Sequence, residues 1–200
     1  MIKDLSQSTE PCVTCSATVC IIGAGTAGIF LAQRLRHVGI GVVILEAGDG
    51  LSRKPEDAKQ RCVQHGIRYR GADQGRSFGL GGTSVLWGGQ MIPLMPSDMD
   101  ARPAVGIEPW PISYADVAAY LPTVKQALGL VAGAPLEEQA VISKYFLRLS
   151  QLDADFQLRL SEWLPFKARN FAKAYAKFLR ADAGLEVWIC LLYTSPSPRD

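Results

Sequence analysis

Gly23, Gly25 and Gly28 stand in the order G-x-G-x-x-G inside Thr18-Val-Cys-Ile-Ile-Gly-Ala-Gly-Thr-Ala-Gly28. A second apolar run, Val42-Val-Ile-Leu-Glu46, ends in an acid eighteen residues past Gly28. A glycine triplet alone is common; between a strand and a helix, with an acid on the next strand, it is a dinucleotide fingerprint. Gly23 permits the tight turn off the strand, Gly25 lets a pyrophosphate reach the backbone, and Gly28 lets the helix lie close to the sheet. The helix then opens with Thr26, Ala27 and Gly28, whose N–H groups and dipole suit phosphate. Glu46 is placed to accept hydrogen bonds from an adenosine ribose and to repel a 2′-phosphate.

A second glycine-dense stretch, Gly75-Arg-Ser-Phe-Gly-Leu-Gly-Gly-Thr-Ser-Val-Leu-Trp-Gly-Gly-Gln90, follows. Such a run exposes backbone N–H groups and lets a planar or anionic group come close. Trp87 within it argues for a packed site. Other residues able to do chemistry offer less. Cys12 and Cys15 form a single C-x-x-C without a second pair, so no metal site is expected. Cys20 falls inside the first strand and reads as a small core residue. His37 belongs to the last turn of the helix, where a cation suits the dipole, and His65 reads as a loop histidine.

These residues need an α/β scaffold. Strands are expected over 17–22 and 41–46, joined by a helix over 26–38 whose Ile29, Leu31, Ala32 and Leu35 face the sheet and whose C′ residue is Gly39. Residues 1–16 read as a loose leader, and the charged run Arg53–Arg61 as a solvated loop or short helix. Met91–Pro111 is proline-rich and aperiodic. Ser113-Tyr-Ala-Asp116 has capping-box spacing, with Ile112 and Val117 placed as a hydrophobic staple. Pro122 is expected to kink or split the helix that follows. Helical patterns recur over 136–153 and 168–181, Trp163-Leu-Pro-Phe166 reads as a substrate-domain surface or a core turn, and Leu185–Ile189 begins a strand.

The chain has 200 residues, 48% hydrophobic, with a formal net charge of +2. That permits a full core and offers neither nucleic acid nor a membrane surface an attractive field. No run has the length of a membrane span or the layout of a signal peptide, so a cytoplasmic location is expected. The last eleven residues, Cys190-Leu-Leu-Tyr-Thr-Ser-Pro-Ser-Pro-Arg-Asp200, resemble the translation of a transposase-type sequencing-library adapter. They are expected to be foreign, and the chain to be an N-terminal fragment.

The first motif resembles the FAD-binding turn of the glucose-methanol-choline (GMC) oxidoreductases. The second resembles that family's signature around Gly-Leu-Gly-Gly-Thr-Ser, and Trp110-Pro-Ile-Ser-Tyr-Ala-Asp116 resembles a run in bacterial members. The resemblance implies a Rossmann-like α/β domain holding FAD, incomplete here, over residues 17–111. A mainly helical start of the substrate region then covers 112–184, and a strand at 185–189 returns to the sheet. It implies that Gly23, Gly25, Thr26, Ala27 and Gly28 face the pyrophosphate and Glu46 the ribose. Arg76, Gly81, Gly82, Thr83 and Ser84 would follow the pyrophosphate and ribityl chain, and Trp87, Gly88 and Gly89 would approach the isoalloxazine. Some members bind FAD covalently through a histidine in this segment; Ser84-Val-Leu-Trp87 has none, which implies non-covalent FAD. The activity implied is hydride transfer from an alcohol or sugar CH–OH group to flavin N5, with the catalytic histidines of the family beyond this chain. Two other readings compete: a non-catalytic flavin or nucleotide module, and an NAD dehydrogenase, which would leave the second glycine segment unexplained.

Overall fold

A computed structural model of the protein describes residues 1–10, 12–50, 63–130, 144 and 159–191. The chain divides into two compact units, Met1–Gly88 with Lys167–Asp200, and Gly89–Phe166. The expected boundary at 111/112 thus lies earlier, and the segment after Phe166 belongs with the first unit.

The first unit is built on a parallel four-stranded sheet: β1 (Ile2–Asp4), β6 (Leu185–Ile189), β3 (Val42–Leu45) and β2 (Val19–Ile22), in that spatial order. Parallel strands covered on both faces carry continuous apolar runs. β3 and β6 fit: Val42, Val43 and Ile44, and Leu185, Val187, Trp188 and Ile189, are all buried. Ile21 pairs with Ile44 between β2 and β3, and Ile44 with Val187 between β3 and β6. Helix α1 (Thr26–His37) makes the crossover from β2 to β3 and buries Ile29 and Ala32 completely. It ends in a Schellman turn: the Gly39 N–H donates to the Arg36 carbonyl and the Ile40 N–H to that of Leu35, with Gly39 at φ +82°.

Three expectations change. Residues 1–16 are not all loose, because Ile2–Asp4 form the outermost strand, paired in parallel with Val187–Ile189. The Met1 ammonium donates to the Leu185 carbonyl at 2.7 Å, and Lys3 pairs with Glu186 while lying over the Trp188 ring. Cys20 is exposed. β2 is the edge of the sheet, and its Cys20 and Ile22 point away from the face where Ile21 meets α1. Leu31 is 48% exposed and leaves the packing of α1 to Ile29 and Ala32.

After α1 come a short helix, α2 (Arg70–Asp73), and a 3₁₀ turn at Gly82–Val85. The expected helix over 168–181 is two pieces, α5 (Phe171–Ala174) and α6 (Ala176–Ala181), broken at Tyr175. Asn170 caps α5 by accepting from the Lys173 N–H, and the Phe171 and Tyr175 rings stack 5.3 Å apart.

The second unit contains an antiparallel pair, β4 (Gln90–Met91) with β5 (Glu162–Trp163), and helices α3 (Tyr114–Ala118) and α4 (Leu121–Ala127). The capping box forms as expected. Ser113 Oγ accepts from the Asp116 N–H, and the Asp116 carboxylate accepts from the Ser113 N–H and hydroxyl. The Ser113 hydroxyl, then its amide, hold the Asp116 carboxyl below the usual aspartate range. Pro122 stands in the first turn of α4, where its missing N–H costs nothing, so the helix splits there. Lys125 pairs with Glu162; Leu164 is buried, whereas Trp163 and Phe166 are exposed. The patterns over 53–61 and 136–153 fall outside the described residues, save Lys144.

Candidate functional site

The three glycines of the first turn have three different surroundings. Gly23 takes φ +101°, a backbone conformation that a side chain resists. A Cβ on Gly28 would overlap the Gly23 carbonyl oxygen and approach Ile21 Cγ2 at 3.3 Å, so α1 rests directly on the turn. Gly25 is the opposite: its φ is an ordinary −78°, and a Cβ there meets nothing within 4 Å. Glycine at 25 is therefore demanded neither by the backbone nor by neighbouring protein. Gly25 is also the N-cap of α1 and supplies no side-chain acceptor, while the first α-helical bond runs from the Ile29 N–H to the Gly25 carbonyl. The N–H groups of Thr26, Ala27 and Gly28 stand ahead of that bond, and Thr26 and Ala27 are exposed. An open space above an uncapped twelve-residue helix is the kind of place that suits an anion.

The second glycine segment is laid on this turn. The Gly81 N–H donates to the Ala24 carbonyl at 2.9 Å, and Gly25 and Gly81 form a parallel bridge. A Cβ on Gly82 would stand 2.9 Å from Gly25 Cα. Gly79, Gly81 and Gly82 all have positive φ, at +122°, +91° and +52°. The two runs that looked separate in sequence are thus one surface of backbone.

Glu46, at the end of β3, is 5% exposed and holds that surface together. Its Oε2 accepts from the Ala24 N–H at 2.7 Å; its Oε1 accepts from the Gly48 and Gly79 N–H groups, both at 2.9 Å. Its backbone continues the sheet, donating to the Trp188 carbonyl.

Ser84 is buried, and its hydroxyl is taken up within the fold: it donates to the Gly81 carbonyl at 2.6 Å and accepts from the Phe171 N–H at 3.1 Å. The Trp87 indole donates to the Arg169 carbonyl at 2.6 Å, which fixes its ring. Arg76, Thr83 and Gly88 are exposed. Gly89 belongs to the second unit, where its carbonyl accepts from the Leu164 N–H. His37 is exposed at the far end of α1, about 16 Å from Thr26 along a helix rising 1.5 Å per residue. His65 is exposed as well. Among the described residues no cluster of His, Cys, Asp and Glu could hold a metal ion, and no helix is long and apolar enough to cross a membrane.

Sequence reasoning missed Ser77. Its hydroxyl oxygen is buried and has no hydrogen-bond partner among the described residues. Buried hydroxyls are ordinarily satisfied, so one left over in a glycine-rich seat is what a bound polar ligand would complete. Its position beside Arg76 in the glycine run was the only available signal.

Comparison with known proteins points to a flavin cofactor. Residues 16–65 match the family model described as FAD binding domain. The chain is 30% identical over 128 residues to 6'''-hydroxyparomomycin C oxidase of Streptomyces lividus, covering 58% of this chain and 23% of that protein. It is likewise 30% identical over 127 residues to paromamine 6'-oxidase of Streptomyces fradiae, covering 58% and 24%. The cofactor is FAD. The fold is a Rossmann-like α/β domain. Those two shares, 23% and 24%, mean that the chain spans about a quarter of the length of the curated relatives it matches.

The residues present fit FAD. The open side of Gly25, the uncapped start of α1, the backbone N–H groups of the second glycine segment and the orphaned Ser77 hydroxyl are complementary to a pyrophosphate and its polar flanks.

Proposed function

We propose that this chain is the N-terminal, cofactor-seating part of a flavin-dependent oxidoreductase of the GMC type that oxidises a CH–OH group of an alcohol or sugar. The observation that carries this reading is the junction of the two glycine runs, where Gly81 is bonded to Ala24 and Gly25 is left facing open space. The names of the two relatives support it, since both are oxidases and one acts on a hydroxy compound. FAD, when bound, supplies the two-electron acceptor for such an oxidation. The chain supplies the seat. The N–H groups of Thr26, Ala27 and Gly28 face the pyrophosphate. Arg76, Gly81, Gly82 and Thr83 flank it, with the buried Ser84 hydroxyl shaping the turn from beneath. Trp87, held by Arg169, and Gly88 stand toward the isoalloxazine.

FAD is held non-covalently in this proposal, because exposed Leu86 occupies the stretch where an attaching histidine would stand. Neither His37 nor His65 serves as the base, which lies in polypeptide outside this chain. Residues 190–200 are foreign to the protein in the same reading.

The test is on the whole protein, obtained by sequencing the locus past Ile189. It should purify yellow, release its flavin into the supernatant on acid precipitation, and reduce a dye in the presence of an alcohol or sugar. Flavin retained in the pellet would refute the non-covalent seat. Bound flavin without alcohol-dependent reduction would favour the non-catalytic module, and NAD dependence without flavin would overturn the reading.

A further inference from the structure

We propose that the cavity between the last turns of α1 and α6 binds a small organic phosphate, with Arg34 and His37 on the phosphate and Phe178 against the organic body. The cavity holds about 450 Å³ and is lined by Gln33, Arg34, Arg36, His37, Phe178 and Asp182, all within the first unit. That is a volume suited to a small molecule. It lies at the opposite end of α1 from the glycine turn, so it is separate from the cofactor seat and does not depend on the flavin reading.

The charge of its walls is one-sided. α1 carries Arg34, Arg36 and His37 and no acid, and α6 carries Lys177 and Arg180 and no acid. The whole chain has a formal net charge of +2, so these cations are gathered here and largely balanced elsewhere. Asp182 is the acid of the lining, and its charge is matched: Oδ1 accepts from Arg36 Nε and from the Gly184 N–H. Arg34 and His37, by contrast, are exposed and make no hydrogen bond or ion pair among the described residues. Basic side chains at a helix end often serve its last carbonyls. Here the Leu35 and Arg36 carbonyls already accept from the Ile40 and Gly39 N–H groups, so neither side chain is needed to close the helix.

Side chains three and four apart on a helix share a face, which brings Gln33, Arg34 and His37 together. Beside them the Arg36 guanidinium is fixed. A Cβ on Gly184 would overlap its Cζ, Nη1 and Nη2 together, so the group lies flat on that glycine. With Nε on Asp182 and Nη1 on the Ile40 carbonyl, Nη2 is left without a partner among the described residues. The site thus offers donors and positive charge in excess of its own acceptors. A phosphate monoester brings a charge of about −1.5 to −2 at pH 7 and three acceptor oxygens, where a carboxylate brings one charge and two oxygens. An arginine fork matches phosphate geometry, and a histidine ring has an N–H to donate in either protonation state. Half-buried Phe178 is the apolar member of the lining and gives the organic body a wall.

The test titrates phenyl phosphate into the whole protein with FAD in excess, which keeps the cofactor seat filled, and reads the dissociation constant by calorimetry. Phenyl phosphate should bind about tenfold or more tighter than inorganic phosphate, which lacks the ring, and than benzoate, which lacks the second charge. R34Q and H37Q should each weaken it by about fivefold or more. K177Q removes a charge from the same side of the unit but not from the cavity, and should change the affinity by less than about twofold. All three positions are exposed, so the variants should keep the parent's thermal midpoint. No binding of phenyl phosphate at millimolar concentration, an unchanged affinity in R34Q and H37Q, or an equal loss in K177Q would overturn the proposal. Benzoate bound as tightly as phenyl phosphate would overturn the choice of phosphate.

Discussion

A methyl group added at Gly25 or at Gly28 changes the chain by the same single carbon, yet the surroundings predict opposite results. At Gly25 the methyl meets no protein atom and the backbone is already in an ordinary region, so G25A should unfold within about 0.5 kcal/mol of the parent. It should nonetheless raise the FAD dissociation constant by roughly tenfold or more, about 1.4 kcal/mol of binding, because it fills the space above the helix start. G28A should do the reverse at first hand: the overlap with the Gly23 carbonyl predicts a loss of about 1–3 kcal/mol of stability. Denaturant unfolding and flavin titration of the two whole-protein variants check both halves; equal destabilisation would refute the distinction. S84A is predicted to cost about 1–3 kcal/mol, since it leaves the buried Phe171 N–H without its acceptor. The turn itself was legible because its logic is local, five or six residues with one job each. The second duties of Glu46 and Ser84 were not. Their partners, Gly79 and Phe171, lie 33 and 87 residues away, and only the folded chain brings them near.

Between elements, the end of α1 is tied to the entry of β6 by Arg36. Its Nε donates to Asp182 Oδ1 at 2.7 Å and its NH1 to the Ile40 carbonyl at 2.8 Å, and the Gly184 N–H also donates to Asp182 Oδ1. Burial pushes the Asp182 pKa up, but the Arg36 and Gly184 hydrogen bonds and the guanidinium charge outweigh it and hold the carboxyl below its ordinary 3.8. A carboxyl whose pKa is lower folded than unfolded contributes its full stability above the unfolded value and loses it as pH falls through the folded one. Thermal midpoints of the whole protein should therefore drop below about pH 4 partly through this pair. D182N should lower the midpoint at pH 7 by roughly 1 °C, about 1 kcal/mol after solvent screening, and flatten the acid limb. An acid limb identical in D182N would refute the assignment. Elements with end signals were readable: Gly39 closes α1, Ser113 opens α3, Pro122 begins α4. β1 was not, because three residues, Ile2–Asp4, carry no alternation and become a strand only by lying against β6. Cys20 was misplaced for a related reason. Its run is as apolar as that of β3, and nothing in it tells an edge strand from a central one.

At the scale of the molecule, the sheet has two edges among the described residues, β1 and β2, and they differ in character. β1 closes the far edge with Lys3 and Glu186 at the surface, a charged pair of the kind that discourages further pairing. β2 closes nothing: no strand pairs with its outer side among the described residues, and Ile22 is 89% exposed in the strand that delivers the chain to the glycine turn. In open α/β sheets ligands bind where the strand order reverses, which puts sheet on both sides of the binding strand. Among the described residues β3 and β6 lie to one side of β2 only, so a parallel strand beside its other edge is expected in the proposed whole protein. An exposed apolar edge is a template for pairing with other chains. The 200-residue chain expressed by itself is therefore predicted to self-associate, and to show no alcohol-dependent dye reduction. The whole protein should run as a discrete species on size exclusion at the same concentration and turn over. The variant I22K, which puts a charge on the bare strand, should shift the isolated chain toward monomer. A chain that is already monomeric at tens of micromolar, or that reduces dye by itself, would show that residues 1–200 are sufficient and that β2 needs no further neighbour.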